Sequence, residues 1–397
     1  MSFLLESVVV IVSVLLAGQI SRRLGQPSVL GQLLVGVLLG PALLGWLEPT
    51  PLVKEMAEIG VILLMFMAGL ETNINDIRKA AVPATLVAVG GVALPFVGGW
   101  GLAAAWGYAG ATAVFIGVLL VATSVSISAQ TLRELGHLKS RPGVIILAAA
   151  VLDDVLGILV LSVVLGMVGG EAAGAHGGGH GAEPPLILIA KIFGFFAVAA
   201  LVGWKILPRV VKWVSRFEAG TAVLATGIAV ALGFAYAAEA SGLAGIIGAY
   251  LAGLMLSLTD YRGKLMHEVE HTAFAFFVPF FFVSVGLTAN FAGVGGSFLV
   301  FILILTVVAI VTKLVGGGLG AKLSGLDFRQ SAGIGAGMVA RGEVGLIVAA
   351  IGLDRGLLGS ELYSAMVAVS LLTTLVTPPL LKAIFPKVKG GAAAGAE

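Results

Sequence analysis

The chain contains no cysteine, which excludes disulfides and thiolate metal sites from any account of it. Charge is nearly as scarce. Only 11% of the 397 residues are Asp, Glu, Lys or Arg, against about 25% in an ordinary soluble domain. So few charges cannot coat a water-exposed surface, and a soluble fold would have to present a largely apolar exterior. The net charge is only +2, so there is no excess of basic charge for a nucleic-acid partner to meet. What is abundant is apolar: 59% of the residues are hydrophobic and 57 are glycine, the small residue that lets helices approach closely inside a membrane. The first apolar run, Phe3 to Ile20, has no basic stretch before it and reaches Ser21-Arg22-Arg23 without a small-residue cleavage site. It reads as a retained helix, not a signal peptide.

A helix that crosses a bilayer needs about 20 mostly apolar residues. Cutting the chain at charges and turn residues gives thirteen candidate spans: 3–21, 28–46, 52–70, 80–100, 108–132, 142–168, 186–207, 219–238, 241–258, 268–287, 296–320, 328–353 and 360–384. The loops test that count. Basic residues cluster in alternate loops, at Arg22 and Arg23; Arg78 and Lys79; Arg133, Lys139 and Arg141; Lys205, Arg209, Lys212 and Arg216; Arg262 and Lys264; Lys322 and Arg329; and Lys382, Lys387 and Lys389. The intervening loops hold only Lys54 and Arg355, while Lys191, Lys313 and Arg341 fall within spans. A miscounted helix would scramble the alternation. The positive-inside rule then places the N-terminus outside and the C-terminus in the cytoplasm. The longest outer loop, Gly169 to Pro185, carries Glu171, His176, His180 and Glu183 among glycines and alanines. Nothing there fixes ligand geometry, so it reads as a flexible linker in preference to a metal site.

Shifting the chain by 217 residues superposes Gly31 on Gly248, Gly36 on Gly253, Gly69 on Gly286, Leu70 on Leu287 and Asn73 on Asn290, with nine identities over residues 25–74. The shift pairs span 2 with 9 and span 3 with 10. A displacement of seven spans is odd, so the two copies run in opposite directions across the membrane, the inverted repeat common in secondary transporters. The same shift brings Thr123-Ser124 onto Ala340-Arg341.

Ionisable residues deep in a span are costly and point to function. Span 6 carries Asp153 and Asp154, span 11 carries Lys313, and span 12 carries Arg341 and Glu343. At the 1.5 Å helical rise these groups, with Thr123 and Ser124, all lie about 14–21 Å from the last basic residue of their loops. Spans 5 and 12 are also expected to break. Thr123 to Ser128 is a polar run where apolar residues belong, and Gly333 to Gly345 has a glycine every few residues. Non-helical backbone at that depth survives only inside protein or beside a cavity, and half-helix ends supply carbonyls and dipoles for ions or charged side chains. Arg341 and Glu343 read as charges that balance each other or those helix ends. Thr and Ser in such helices either bond back to their own helix or serve as ligands, and Lys191 reads as a snorkelling residue.

A carboxylate binds either a proton or a hard monovalent cation. If both compete for one mid-membrane site, exchange follows without further parts. Asp153 and Asp154 point about 100° apart around their helix, which suggests one cation ligand and one partner for Lys313. With these residues, Ala340-Arg341-Gly342-Glu343 and the run from Pro279 to Leu287, the chain resembles the NapA-type bacterial sodium/proton antiporters of the second monovalent cation:proton antiporter family. The likeness extends from Gly25 to the end of span 13.

The resemblance implies an all-α membrane protein of the NhaA-like fold, with thirteen helices, inverted repeats and two crossed broken helices. It implies a core domain (spans 4–6 and 11–13), a dimerisation domain (spans 1–3 and 8–10), span 7 as linker, and elevator-like alternating access in a homodimer. Carried over, Asp154 is the cation ligand with Thr123 beside it, Asp153 is the partner of Lys313, and Thr123 and Ser124 belong to the crossing. An Asp-Asp pair goes with electrogenic exchange in the resembling proteins. The expected activity is Na⁺/H⁺ exchange, with Li⁺ as a further substrate, in a bacterial or archaeal cytoplasmic membrane. No enzymatic step, cofactor or nucleic acid is expected; lipid surrounds the protein, and Na⁺ and H⁺ are its cargo. Residues 391–397 are expected to be a disordered tail, with no nucleotide-binding domain after span 13. A K⁺/H⁺ antiporter is the nearest alternative. A channel would need a filter sequence that is absent here. An aspartyl hydrolase needs two carboxylates sharing one proton, which adjacent residues on one helix do not readily supply.

Overall fold

The computed structural model describes residues 3–108, 110–168, 185–216, 222–288 and 296–387. The described residues are helical throughout, with no strand. In chain order the first helices are α1 (Phe3–Arg23), α2 (Ser28–Leu39), α3 (Pro51–Glu71), α4 (Ile74–Ala105), α5 (Gly110–Val121), α6 (Val125–Leu135) and α7 (Arg141–Val168). Next come α8 (Pro185–Lys205), α9 (Leu207–Val214), α10 (Ala222–Ala240), α11 (Gly245–Leu256) and α12 (Arg262–Thr272), which a π turn at Ala273–Phe277 joins to α13 (Val278–Leu287). The last are α14 (Gly296–Leu323), α15 (Phe328–Gly337), α16 (Glu343–Asp354) and α17 (Ser360–Ile384). The Gly169–Pro185 loop residues Glu171, His176, His180 and Glu183, Asn290, and the tail 391–397 lie outside the described residues.

Helix occupies each of the thirteen expected intervals. Nine helices, taken through their internal breaks, are long and apolar enough to cross a membrane among the described residues, and Ser28–Leu39, Gly245–Leu256 and Val344–Leu353 are shorter apolar ones. The bilayer is written on α14. Leu299, Leu303, Val307, Val311, Val315 and Leu319 recur every four residues and are all exposed, while Phe301, Leu305, Ala309 and Lys313 on the opposite side are buried. Such a continuous exposed apolar stripe belongs against lipid.

Two elements differ from expectation. Interval 28–46 is helical only to Leu39, because Gly40-Pro41 follows and the residue before a proline disfavours helix. The loop between intervals seven and eight contains α9. Its Leu207, Val211 and Val214 form a buried stripe, while Arg209 and Lys212 are exposed. It is an amphipathic surface helix of 8 residues, far short of the about 20 that a span needs.

The 217-residue shift reappears as geometry. A Cβ on Gly36 would collide with the backbone of Val283 and Gly286, and one on Gly253 with the backbone of Phe66 and Leu70; Gly286 and Gly69 are the reciprocal partners. The α2–α13 crossing at Gly36 and Gly286 therefore maps onto the α11–α3 crossing at Gly253 and Gly69. Likewise Gly31 packs on Ala17, and its equivalent Gly248 packs on Phe234, the equivalent of Ala17. Only glycine allows backbones this close. Gly69→Leu is expected to cost about 1–3 kcal/mol of stability through overpacking. Thermal unfolding in detergent checks this against Gly101→Ala, whose added Cβ would meet nothing within 4 Å.

The seven basic loops lie on one face. Lys382 comes beside Gly25. Ser28 donates its backbone N–H and hydroxyl to Glu134 at 2.7 and 2.5 Å. Arg133 bridges Glu71 (3.1 Å) and Glu270 (2.7 Å). Ser215 and Tyr261 share a hydrogen bond of 2.8 Å. Arg329 donates to the Ile384 carbonyl at 2.9 Å, and the His137 ring lies 3.0 Å from the Pro386 carbonyl.

Candidate ion-binding site

Both intervals expected to break are interrupted. Between α5 and α6 the chain leaves the helix at residues 122–124, and between α15 and α16 at 338–342. The two breaks touch. Ser124 N–H donates to the Ala340 carbonyl at 2.7 Å, and the Ser128 hydroxyl donates to the Gly337 carbonyl at 2.6 Å. Thr374 on α17 donates to the Arg341 carbonyl at 2.5 Å. A Cβ on Gly342 would press on the Ser124 side chain. Ser124 and Arg341, equivalent under the shift, thus meet at the crossing. These bonds occupy backbone groups that an interrupted helix would otherwise leave unpaired in an apolar medium.

Arg341 is fully buried. Its guanidinium donates to the carbonyls of Leu120 (2.7 Å), Val339 (3.1 Å) and Ala309 (3.3 Å). Leu120 belongs to the last turn of α5, so the cation sits at the negative end of that half-helix. The Glu343 side chain lies outside the described ones; its backbone begins α16.

Lys313 of α14 donates to both carboxylate oxygens of Asp153 of α7, at 2.8 and 3.0 Å. The side chains are 0% and 1% exposed. Thr123 lies close to Asp153, and its hydroxyl donates to the Val121 carbonyl at 3.4 Å. Gly91 of α4 lies over the pair: a Cβ there would come 3.5 Å from Asp153 Oδ1 and 3.6 Å from Lys313 Nζ. A buried ion pair needs good geometry to hold, and here one ammonium donates to both carboxylate oxygens.

Asp154 takes a different direction. It lines a cavity of ≈ 10 Å³, space for the centre of about one water-sized sphere, together with Met65, Val125, Leu147, Ile246 and Tyr250. The cavity lies between α6 and α7 on one side and α3 and α11 on the other. Of the residues singled out in the sequence, Thr123, Asp153 and Lys313 form one cluster, Ser124 and Arg341 form the crossing, and Asp154 faces the cavity. Lys191 lies on α8 and is exposed.

Sequence reasoning missed Thr374, Gly91 and Tyr250. Thr374 sits in the polar sequence Thr373-Thr374 with Thr377, a run much like the one at the first break. Tyr250 is a phenol inside an apolar helix, and a buried phenol requires a hydrogen-bond partner.

The family model described as sodium/hydrogen exchanger, transmembrane, matches residues 9–387. Over 383 residues the chain is 44% identical to the Na(+)/H(+)-K(+) antiporter GerN of Bacillus cereus, covering 96% of each protein. Over 379 residues it is 41% identical to a Na(+)/H(+) antiporter of Enterococcus hirae, covering 96% of this chain and 97% of that protein. Two structures of the sodium proton antiporter MjNhaP1 from Methanocaldococcus jannaschii share the fold at 16% identity, with TM-scores of 0.67 and 0.70 over 94% and 96% of each chain.

Proposed function

The chain belongs to the sodium/hydrogen exchanger family, and from that premise we propose that it exchanges Na⁺ for H⁺ across a membrane, with Asp154 as the group the two ions share. The observation that carries this reading is the division of labour in the Asp pair. Asp153 is neutralised by Lys313 at 2.8 Å, while Asp154 lines the cavity. One carboxylate facing one small cavity holds a proton or a bare cation, not both. Carrying one ion excludes the other, and that exclusion couples the two fluxes. Thr123 and Ser124 sit at the break that ends at Val125, a residue of the cavity wall.

Alternating access has a ready division. The glycine crossings of α2 with α13 and α3 with α11 make one block. Gly90 against Gly316, Gly320 against Leu86 and Gly335 against Leu314 tie α4, α14 and α15 into another. The Asp154 cavity lies on the seam between α3 and α11 of the first block and α6 and α7. Sliding the second block, with the broken helices, past the first would carry the site from one side to the other. The first block is then the scaffold through which two copies pair, and α8 is the link between blocks. The face bearing the basic loops is cytoplasmic, so the N-terminus is outside.

The activity is that of a transporter and not an enzyme, with Na⁺ and H⁺ as cargo. K⁺ is the second reading, because GerN is named for both cations. Proteoliposomes with an imposed pH gradient test both. Na⁺ is expected to dissipate the gradient, with Li⁺ acting similarly and K⁺ less effectively; dissipation by K⁺ alone would replace the Na⁺ reading. The Asp-Asp pair further points to electrogenic exchange. Rates should therefore differ between imposed potentials of opposite sign, and equal rates would rule that out.

A further inference from the structure

We propose that Tyr250, latched to Thr72, is the gate between the basic-loop face and the Asp154 cavity. Besides the cavity at Asp154, the protein has a vestibule of ≈ 200 Å³ lined by Glu71, Thr72, Asn73, Asp76, Lys139 and Arg262 among others. Asn73, Asp76 and Lys139 are exposed, so the vestibule opens on the face where the basic loops gather. It carries carboxylates and cations in equal number, so it is a route rather than a trap for one charge sign.

One contact joins the two spaces. The Tyr250 hydroxyl donates to Thr72 Oγ1 at 3.3 Å. Thr72 lines the vestibule and Tyr250 lines the inner cavity. Thr72 is itself fixed, since its hydroxyl donates to the Ala68 carbonyl at 2.7 Å. Tyr250 is fixed too: its carbonyl sits against Gly69 at the tight α3–α11 crossing. Ile246 and Ile247, which also line the inner cavity, lie about one turn, or ~6 Å, farther along α11 from the loop at Arg262. An ion moving along α11 between vestibule and Asp154 passes the phenol ring. The two hydroxyls lie on that path as its oxygen ligands, a suitable relay for a hard cation or a proton. Tyr250 is a gating residue here. Its role rests on the reading of Asp154 as the exchange site only for its purpose, and not for the barrier itself.

The absence of cysteine makes the test clean, since a single introduced thiol is the only one present. The full chain in detergent is treated with a water-soluble, positively charged methanethiosulfonate reagent. Asn73→Cys should react rapidly. Ile246→Cys should react slowly with Tyr250 in place, and at least about tenfold faster with Tyr250→Ala, which removes both the ring and its hydrogen bond. Tyr250→Phe, which keeps the ring and loses the latch, should give a smaller increase. Asn73→Cys must stay unchanged by either substitution. Should Tyr250→Ala fail to fold, Thr72→Val removes the latch at constant volume and is expected to raise the Ile246→Cys rate. An Ile246→Cys rate indifferent to these changes overturns the gate. The readout is access and not transport, so it stands apart from whether Asp154 carries the ion.

Discussion

Lys313→Met is expected to destabilise the protein by about 3–5 kcal/mol, because it leaves Asp153 buried without the cation that balances it. The environment leaves little room for relief. Both side chains are at most 1% exposed, Gly91 covers the pair, and the neighbouring Thr123 is uncharged. Arg341 is committed to the carbonyls of Leu120, Val339 and Ala309, so it cannot swing over without uncovering a helix end. The double variant Asp153→Asn with Lys313→Met removes both charges at similar volume, and such replacements are often close to neutral. Thermal unfolding of the four proteins in the cycle checks this. The single Lys313 variant should melt well below the double, with an interaction energy beyond the ~0.5 kcal/mol scatter expected of independent sites. A Lys313→Met protein as stable as the unsubstituted chain would mean that the pair contributes nothing.

Much of this arrangement is legible in the amino-acid sequence. The polar run from Thr123 and the glycine series from Gly333 violate apolar patterning in a medium that penalises it, so the helix breaks can be placed within a few residues. The alternation of Arg and Lys orders the loops, and their contacts on one face, from Gly25 beside Lys382 to Arg329 on Ile384, follow the same alternation. The 217-residue shift is visible only as a handful of glycines. Those glycines mark backbone crossings, where sequence is most constrained by geometry.

What stays hidden is what depends on partners distant in sequence. Nothing local to Arg341 says that it reaches Leu120, 221 residues away. Nothing near Tyr250 says that its partner is Thr72, 178 residues away. The α9 helix escapes because its stripe is only three residues deep and its charges read as loop. The end of α2 at Leu39 is a matter of Gly40-Pro41, a signal present in the sequence and outweighed there by the apolar residues that follow.

Asp154→Asn is expected to have the largest effect on exchange. The amide nearly matches the carboxylate in size, so the helix and cavity have no cause to change. It neither takes up a proton nor offers a negative charge to a cation. Asp153 cannot substitute for it, since it points about 100° away on the same helix and is held by Lys313 at 2.8 and 3.0 Å. Loss of exchange with retained stability would separate the carrier from the scaffold, and would distinguish this variant from Lys313→Met, which acts first on stability.

The measurement that bears most directly on the account is therefore Na⁺-driven dissipation of a pH gradient by Asp154→Asn in proteoliposomes, with its unfolding temperature recorded alongside. The expected rate is no greater than that of protein-free vesicles, at an unchanged unfolding temperature. Sodium-driven proton movement at the rate of the unsubstituted protein would contradict it.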